Sequence, residues 1–187
     1  MQKVIQLVGH MKSKSKFIAI VSLLSALSGT FQVFVAPITF QILGGLPFAH
    51  DLIVFFPIIL SVWIIGRFGA ATGVGIISTL IVLFLNSSLF FVVGFVIAAF
   101  IFDLLLFVVK HKVTFKISNI LTVSLSAIIS FFIGGFILGL LITSGSLQSS
   151  LTYWAPLHTV GGAIGMIISY PLLAGLDRTG VRKRSGF

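Results

Sequence analysis

Six stretches of this chain are too apolar and too long to be ordinary core segments, and they leave little chain outside them. They run over about 17–37, 51–66, 69–85, 88–109, 117–143 and 153–176. About twenty mostly apolar residues cross a hydrocarbon core of roughly 30 Å. Runs such as Leu80–Leu85 and Phe90–Val93 do not alternate apolar with polar, which excludes a membrane β-barrel. Helices remain, because lipid offers no partner to an unpaired backbone group. The expected fold is an all-α integral membrane protein, one domain over residues 1–187 and a bundle of six transmembrane helices. Composition agrees: only 8% of the 187 residues are charged, against about 25% in soluble domains.

The second and third stretches are the shortest. One helix from Asp51 to Leu85 would be too long for a single crossing and would strand Arg67 in mid-bilayer. Gly66 and Gly69 flank that arginine and favour a turn, hence a helical hairpin.

Charge then orients the bundle. Lys3, Lys12, Lys14 and Lys16 precede the first span, and Arg67 separates the second from the third. Lys110, Lys112 and Lys116 separate the fourth from the fifth. Arg178, Arg182, Lys183 and Arg184 follow the sixth. With six spans, all twelve basic residues fall on one side, so the positive-inside rule predicts both termini in the cytoplasm. Topology thus accounts for the net charge of +9 without a nucleic-acid partner. Anionic lipid adds to the attraction at the two chain ends. The long basic N-terminal segment and the long apolar run after it do not read as a cleavable signal peptide.

Small residues four apart permit close helix contact in lipid. Gly69 and Gly73, Gly135 and Gly139, and Gly161 and Gly165 are expected to pack within the bundle. The first span carries two such pairs, Ser22 with Ala26 and Ser25 with Gly29, and each could face inside or a partner. In the fifth span Thr122, Ser126, Ser130 and Gly134 recur every fourth residue. That row either lines a polar cavity or bonds back to its own helix carbonyls. His158, Gly162, Gly165 and Ser169 form a comparable row in the sixth.

Three acids exist. Asp177 adjoins Arg178 and is solvated. Asp51 is expected to cap the start of the second span. Asp103 lies about 22 Å into the fourth span at 1.5 Å per residue. A buried carboxylate at that depth is by default functional, unless it pairs with Lys110 or Arg67 or keeps its proton. Towards the opposite side, Gln41, His50, Asn86, Gln148, Tyr153, Trp154 and His158 form a loose polar and aromatic set. Tyr153 and Trp154 are ordinarily interface anchors. No His-x-x-x-His or other ligand spacing supports a metal. No cysteine offers a thiolate. The segment Ile38–His50, with Gly44, Gly45 and Pro47, is the longest loop on that side and could cover a site. No glycine-rich phosphate loop with a lysine is present, so ATP hydrolysis would need a partner.

The chain resembles the substrate-binding S components of energy-coupling factor (ECF) transporters, and within them the YkoE-type subgroup linked to thiamine or its hydroxymethylpyrimidine precursor. The resemblance rests on Gly66–Gly73 (GRFGAATG), on Asn86–Ser88 at the next turn and on the acid Asp103, and covers about half the chain. It implies a subunit that binds a vitamin-like molecule from outside and needs no cofactor of its own. A separate transmembrane coupling subunit and two ATPase subunits would drive it. It further implies a contact with the coupling subunit through an Ala-x-x-x-Ala face of the first helix, where this chain has Ser22 and Ala26. The ligand would lie on the outer side, which carries forward Gln41, His50, Asn86, Tyr153, Trp154 and His158. The competing reading is a structural polytopic subunit like the MreD scaffolds, without a transported ligand. A membrane-embedded enzyme ranks last, for want of clustered acid and base groups.

Overall fold

The computed structural model describes residues 2–42, 48–87 and 92–185, and these are helical, with no strand among them. The helices are α1 (Gln2–Phe34), α2 (Ala36–Ile42), α3 (Phe48–Ile65), α4 (Ala70–Leu85), α5 (Val93–Leu105), α6 (Ile117–Ile142), α7 (Leu147–Ser149), α8 (Ala155–Arg178) and α9 (Val181–Ser185). One 3-10 turn, Leu106–Val109, prolongs α5, and one π turn, Ser150–Trp154, joins α7 to α8. Three segments are long and apolar enough to cross a membrane: Lys14–Phe34, Ile117–Ile142 and Leu147–Arg178. Three shorter apolar helical segments, His50–Ile65, Ala70–Leu85 and Val93–Val109, pack among them.

Several boundaries differ from those the sequence suggests. The first helix reaches back to Gln2 and pauses at Val35, two residues before Pro37. Pro37 has no N–H to donate and disfavours a helical residue before it. Most of the expected loop Ile38–His50 is helical, since α2 runs to Ile42 and α3 starts at Phe48; Gly44, Gly45 and Pro47 lie outside the described residues. In the fourth expected span, α5 begins only at Val93, so Asp103 stands in its last turn.

The six apolar helices close into a ring, α1–α4–α5–α6–α8–α3 and back to α1, and α3 also touches α4. Helix α3 touches α1, α2, α4, α8 and α9 and is the most enclosed: Phe55, Ile59, Val62 and Trp63 are inaccessible. Glycines set the spacing of the ring. An added Cβ at Gly29 would meet Ile81 at 2.9 Å, and one at Gly73 would meet Val21 at 3.0 Å, so α1 and α4 nearly touch. Gly134 and Gly94 do the same for α6 against α5. The pair Ser25 and Gly29 therefore faces inside, whereas Ser22 and Ala26 lie exposed on the other side of α1.

The hairpin turn at Arg67 forms as its glycines predict, with Gly66 at φ 63° and Gly69 at φ 89°. It lies beside the loop after α5, for a Cβ on Gly66 would be 3.7 Å from the His111 carbonyl. Arg182 donates to the Val113 carbonyl (3.2 Å) and covers the Trp63 ring, while Lys16 donates to the Ser185 carbonyl (3.0 Å). The basic segments around 16, 67, 110–113 and 178–185 thus gather at one end of the bundle, here called the basic end.

Candidate functional site

At the opposite end, the first turns of α3 and α8 meet. His158 Nδ1 lies 2.6 Å from Asp51 Oδ1, with both side chains buried. When the carboxylate is ionised it only accepts, and the imidazole then donates from Nδ1. The second atoms of the pair, Asp51 Oδ2 and His158 Nε2, are buried and have no protein partner. An unmet polar atom in such a place is costly, and it calls for an explanation.

Local sequence makes room for the pair. Gly161, one turn along α8 from His158, has no side chain because one would run into the Asp51 carboxylate. Gly135 on α6 clears His158 (2.6 Å to a hypothetical Cβ), and Gly139 clears Trp154 (2.7 Å). The expectation that Gly135, Gly139, Gly161 and Gly165 pack within the bundle is met; the first three admit His158, Trp154 and Asp51, and Gly165 admits the Phe55 ring. The π turn immediately before α8 ends on Trp154 and shifts the phase of the helix just ahead of His158, as such turns often do at functional sites.

Rings enclose the pair. Trp154 stacks on His158 (centroids 6.2 Å, 22° between planes), and Phe95 meets it edge-on (5.7 Å, 75°). His50 reaches the same Phe95 at 4.9 Å. Of the six residues expected to bind a ligand, His50, Trp154 and His158 are therefore brought together. Tyr153 touches Trp154 but is exposed, and Gln41 and Asn86 are exposed at the ends of α2 and α4. Asp51 was expected to cap α3; it sits three residues inside that helix and pairs with His158 instead. The available signal was topological. Two spans that both start on one face place Asp51 and His158 at similar depth.

Asp103 has a different situation from the one its sequence position suggests. Its Oδ2 accepts from the backbone N–H groups of Gly69 (3.1 Å) and Thr72 (2.8 Å) and from the Thr72 hydroxyl (2.6 Å). It therefore caps the start of α4, across the hairpin turn from its own helix. Four N–H groups at a helix start lack intrahelical partners, and a carboxylate there also meets the favourable end of the helix dipole.

The hydroxyl row of α6 is turned back on its own helix. Thr122, Ser126 and Ser130 donate to carbonyls of their own helix (2.8–2.9 Å), and Gly134 packs on Ala98. Of the two readings left open for that row, back-bonding is the one found. Between α3, α5 and α6, the gap lined by Phe55, Phe95, Phe102 and Phe131 is apolar and too tight for water. No group of three metal-ligating side chains forms among the described residues.

Fold and site together define a helical, membrane-type protein with a carboxylate–imidazole pair set among aromatic rings at one end. No protein-family model, curated protein or solved structure matches the chain.

Proposed function

We propose that this protein is the substrate-binding S component of an ECF-type importer and takes up a vitamin-like small molecule, thiamine or hydroxymethylpyrimidine being the first to test. The observation that carries the reading is the Asp51–His158 pair, which keeps one acceptor oxygen and one ring nitrogen unmatched amid Trp154, Phe95 and His50. Small heteroaromatic ligands need flat faces to stack on and a few fixed polar groups to orient them. The exocyclic amino group of an aminopyrimidine would donate to the free Asp51 oxygen.

In this reading all six apolar helices cross the membrane, with the basic end and both termini in the cytoplasm. The pair then lies buried at the outer end of the bundle, the side from which a substrate arrives. The exposed Ser22 and Ala26 face of α1 meets the coupling subunit, and two ATPase subunits supply the energy. Tryptophan emission of the purified protein tests the ligand. A saturable change with thiamine or hydroxymethylpyrimidine is expected, and a flat response to both would remove the substrate class. For the partner, Ser22→Leu with Ala26→Leu is expected to abolish co-purification with a coupling subunit; unchanged co-purification would refute that contact.

One observation favours the scaffold reading: the α6 hydroxyls spend their protons on their own helix, so they have no donor left for a ligand. A structural MreD-like subunit would show no saturable ligand response at all.

A further inference from the structure

The basic end carries a feature that substrate binding leaves unexplained. Phe68, on the hairpin turn, stacks on Phe107 (5.4 Å, 24°) and meets Phe100 edge-on (6.3 Å, 77°). All three rings are roughly half exposed, at 45%, 56% and 46%. Leu104 and Val108 continue the exposed apolar strip on the same helix and its 3-10 extension. Phe100 and Leu104, at i and i+4, share one face of α5, and Phe107 on the 3-10 turn is brought to the same side by its stacking on Phe68. Single exposed apolar residues are normal on such a protein, but this strip ends against exposed Lys110 and Lys112.

The corner between strip and charges is built firmly. His111 is buried, donates from Nε2 to the Asp103 carbonyl (2.9 Å) and contacts both Phe68 (5.8 Å) and Phe107 (4.8 Å) edge-on. Asp103 in turn holds the hairpin turn that carries Phe68. Lys110 and His111 are both left-handed, at φ 51° and 56°, a conformation that side-chain-bearing residues rarely adopt twice running. Backbone held in a rare conformation by over-determined contacts is where function concentrates. Among the described residues neither Lys110 nor Lys112 forms an ion pair. Asp103 is buried inside the cap, and Asp177 is the one acid exposed among the described residues.

We propose that this corner seats an anionic phospholipid, its phosphate at Lys110 and Lys112 and an acyl chain along Phe68, Phe107 and Phe100. An apolar strip ending in cations complements an amphiphile with an anionic head, and surface lysines at a membrane attract such heads. An acidic protein segment would use the charges but not the lengthwise strip.

The test uses the full-length protein in a neutral detergent, with lipid adducts counted by native mass spectrometry. Phosphatidylglycerol is expected to be retained and phosphatidylcholine not, and excess inorganic phosphate should leave phosphatidylglycerol in place. Lys110→Gln with Lys112→Gln should weaken phosphatidylglycerol retention by about fivefold per charge. Lys110→Arg with Lys112→Arg should keep it, which separates charge from misfolding. Equal retention of the two lipids, or undiminished retention by the glutamine variant, overturns the proposal. So does displacement by inorganic phosphate, which would mark a plain anion site. Loss of coupling-subunit co-purification in Phe107→Ala with lipid retention intact also overturns it, in favour of a protein-docking surface.

Discussion

Two carboxylates are fully buried in this protein, at opposite ends of the bundle, and they are buried for different purposes. Asp103 is spent on the scaffold: two backbone amides and a hydroxyl, all at the start of α4, converge on its Oδ2, and its buried Oδ1 is left without a protein partner. Asp51 is spent on a side chain, a histidine 107 residues away that itself retains an unmatched ring nitrogen. The first arrangement closes a helix end and locks a turn. The second leaves unmatched, oriented polarity beside aromatic rings, which suits a ligand. Burial of a charge therefore does not by itself mark function; the identity of the partners does.

Substitutions can break the contrast, and the largest effect is expected at His158. His158→Ala removes the partner of a buried carboxylate, so stability should fall by about 3–5 kcal/mol in equilibrium unfolding. Adding Asp51→Asn should recover much of that loss, because the uncompensated charge disappears; strictly additive losses would mean the two side chains do not act as a pair. Next comes Gly161→Ala, whose new methyl group would push on the Asp51 carboxylate. Overpacking of this kind costs about 1–3 kcal/mol, read as a lower thermal midpoint, and it should weaken ligand binding as well. Asp103→Asn should cost about 1 kcal/mol, the usual size of a lost cap. Unlike the changes at the other end, it should leave ligand affinity as it was; a large affinity loss would erase the distinction between the two acids. The smallest effect belongs to Ser126→Ala and Ser130→Ala, whose hydroxyls only bond their own helix. Shifts within about 0.5 kcal/mol and unaltered binding are expected there.

Much of the fold is legible in the sequence because its signals are local. Apolar runs locate the helices, and Gly66 and Gly69 around Arg67 locate the hairpin. The four-residue glycine spacings of α6 and α8 locate the close contacts. Boundaries are less legible, since a basic amphiphilic segment such as 2–16 continues a helix without any apolar signature. The hydroxyl row could not be assigned from spacing, because cavity lining and back-bonding share one period. Asp103 misleads because its depth was counted from residue 88 whereas α5 starts at Val93. The candidate site was legible only in halves: His50, Trp154 and His158 stand out as polar or aromatic residues near one face. Asp51 looks like an ordinary cap until α3 and α8 are set side by side, and nothing between the two positions in the chain announces that pairing.

The two tryptophans stand at opposite ends, Trp63 beneath Arg182 and Trp154 against His158. In a Trp63→Phe protein, emission therefore reports on the candidate site alone. Titrating that protein with thiamine and with hydroxymethylpyrimidine tests the central claim most directly. The account predicts a saturable change with at least one of them, and an affinity about tenfold or more weaker once Asp51→Asn is added. A flat titration, or an affinity indifferent to Asp51→Asn, would contradict it.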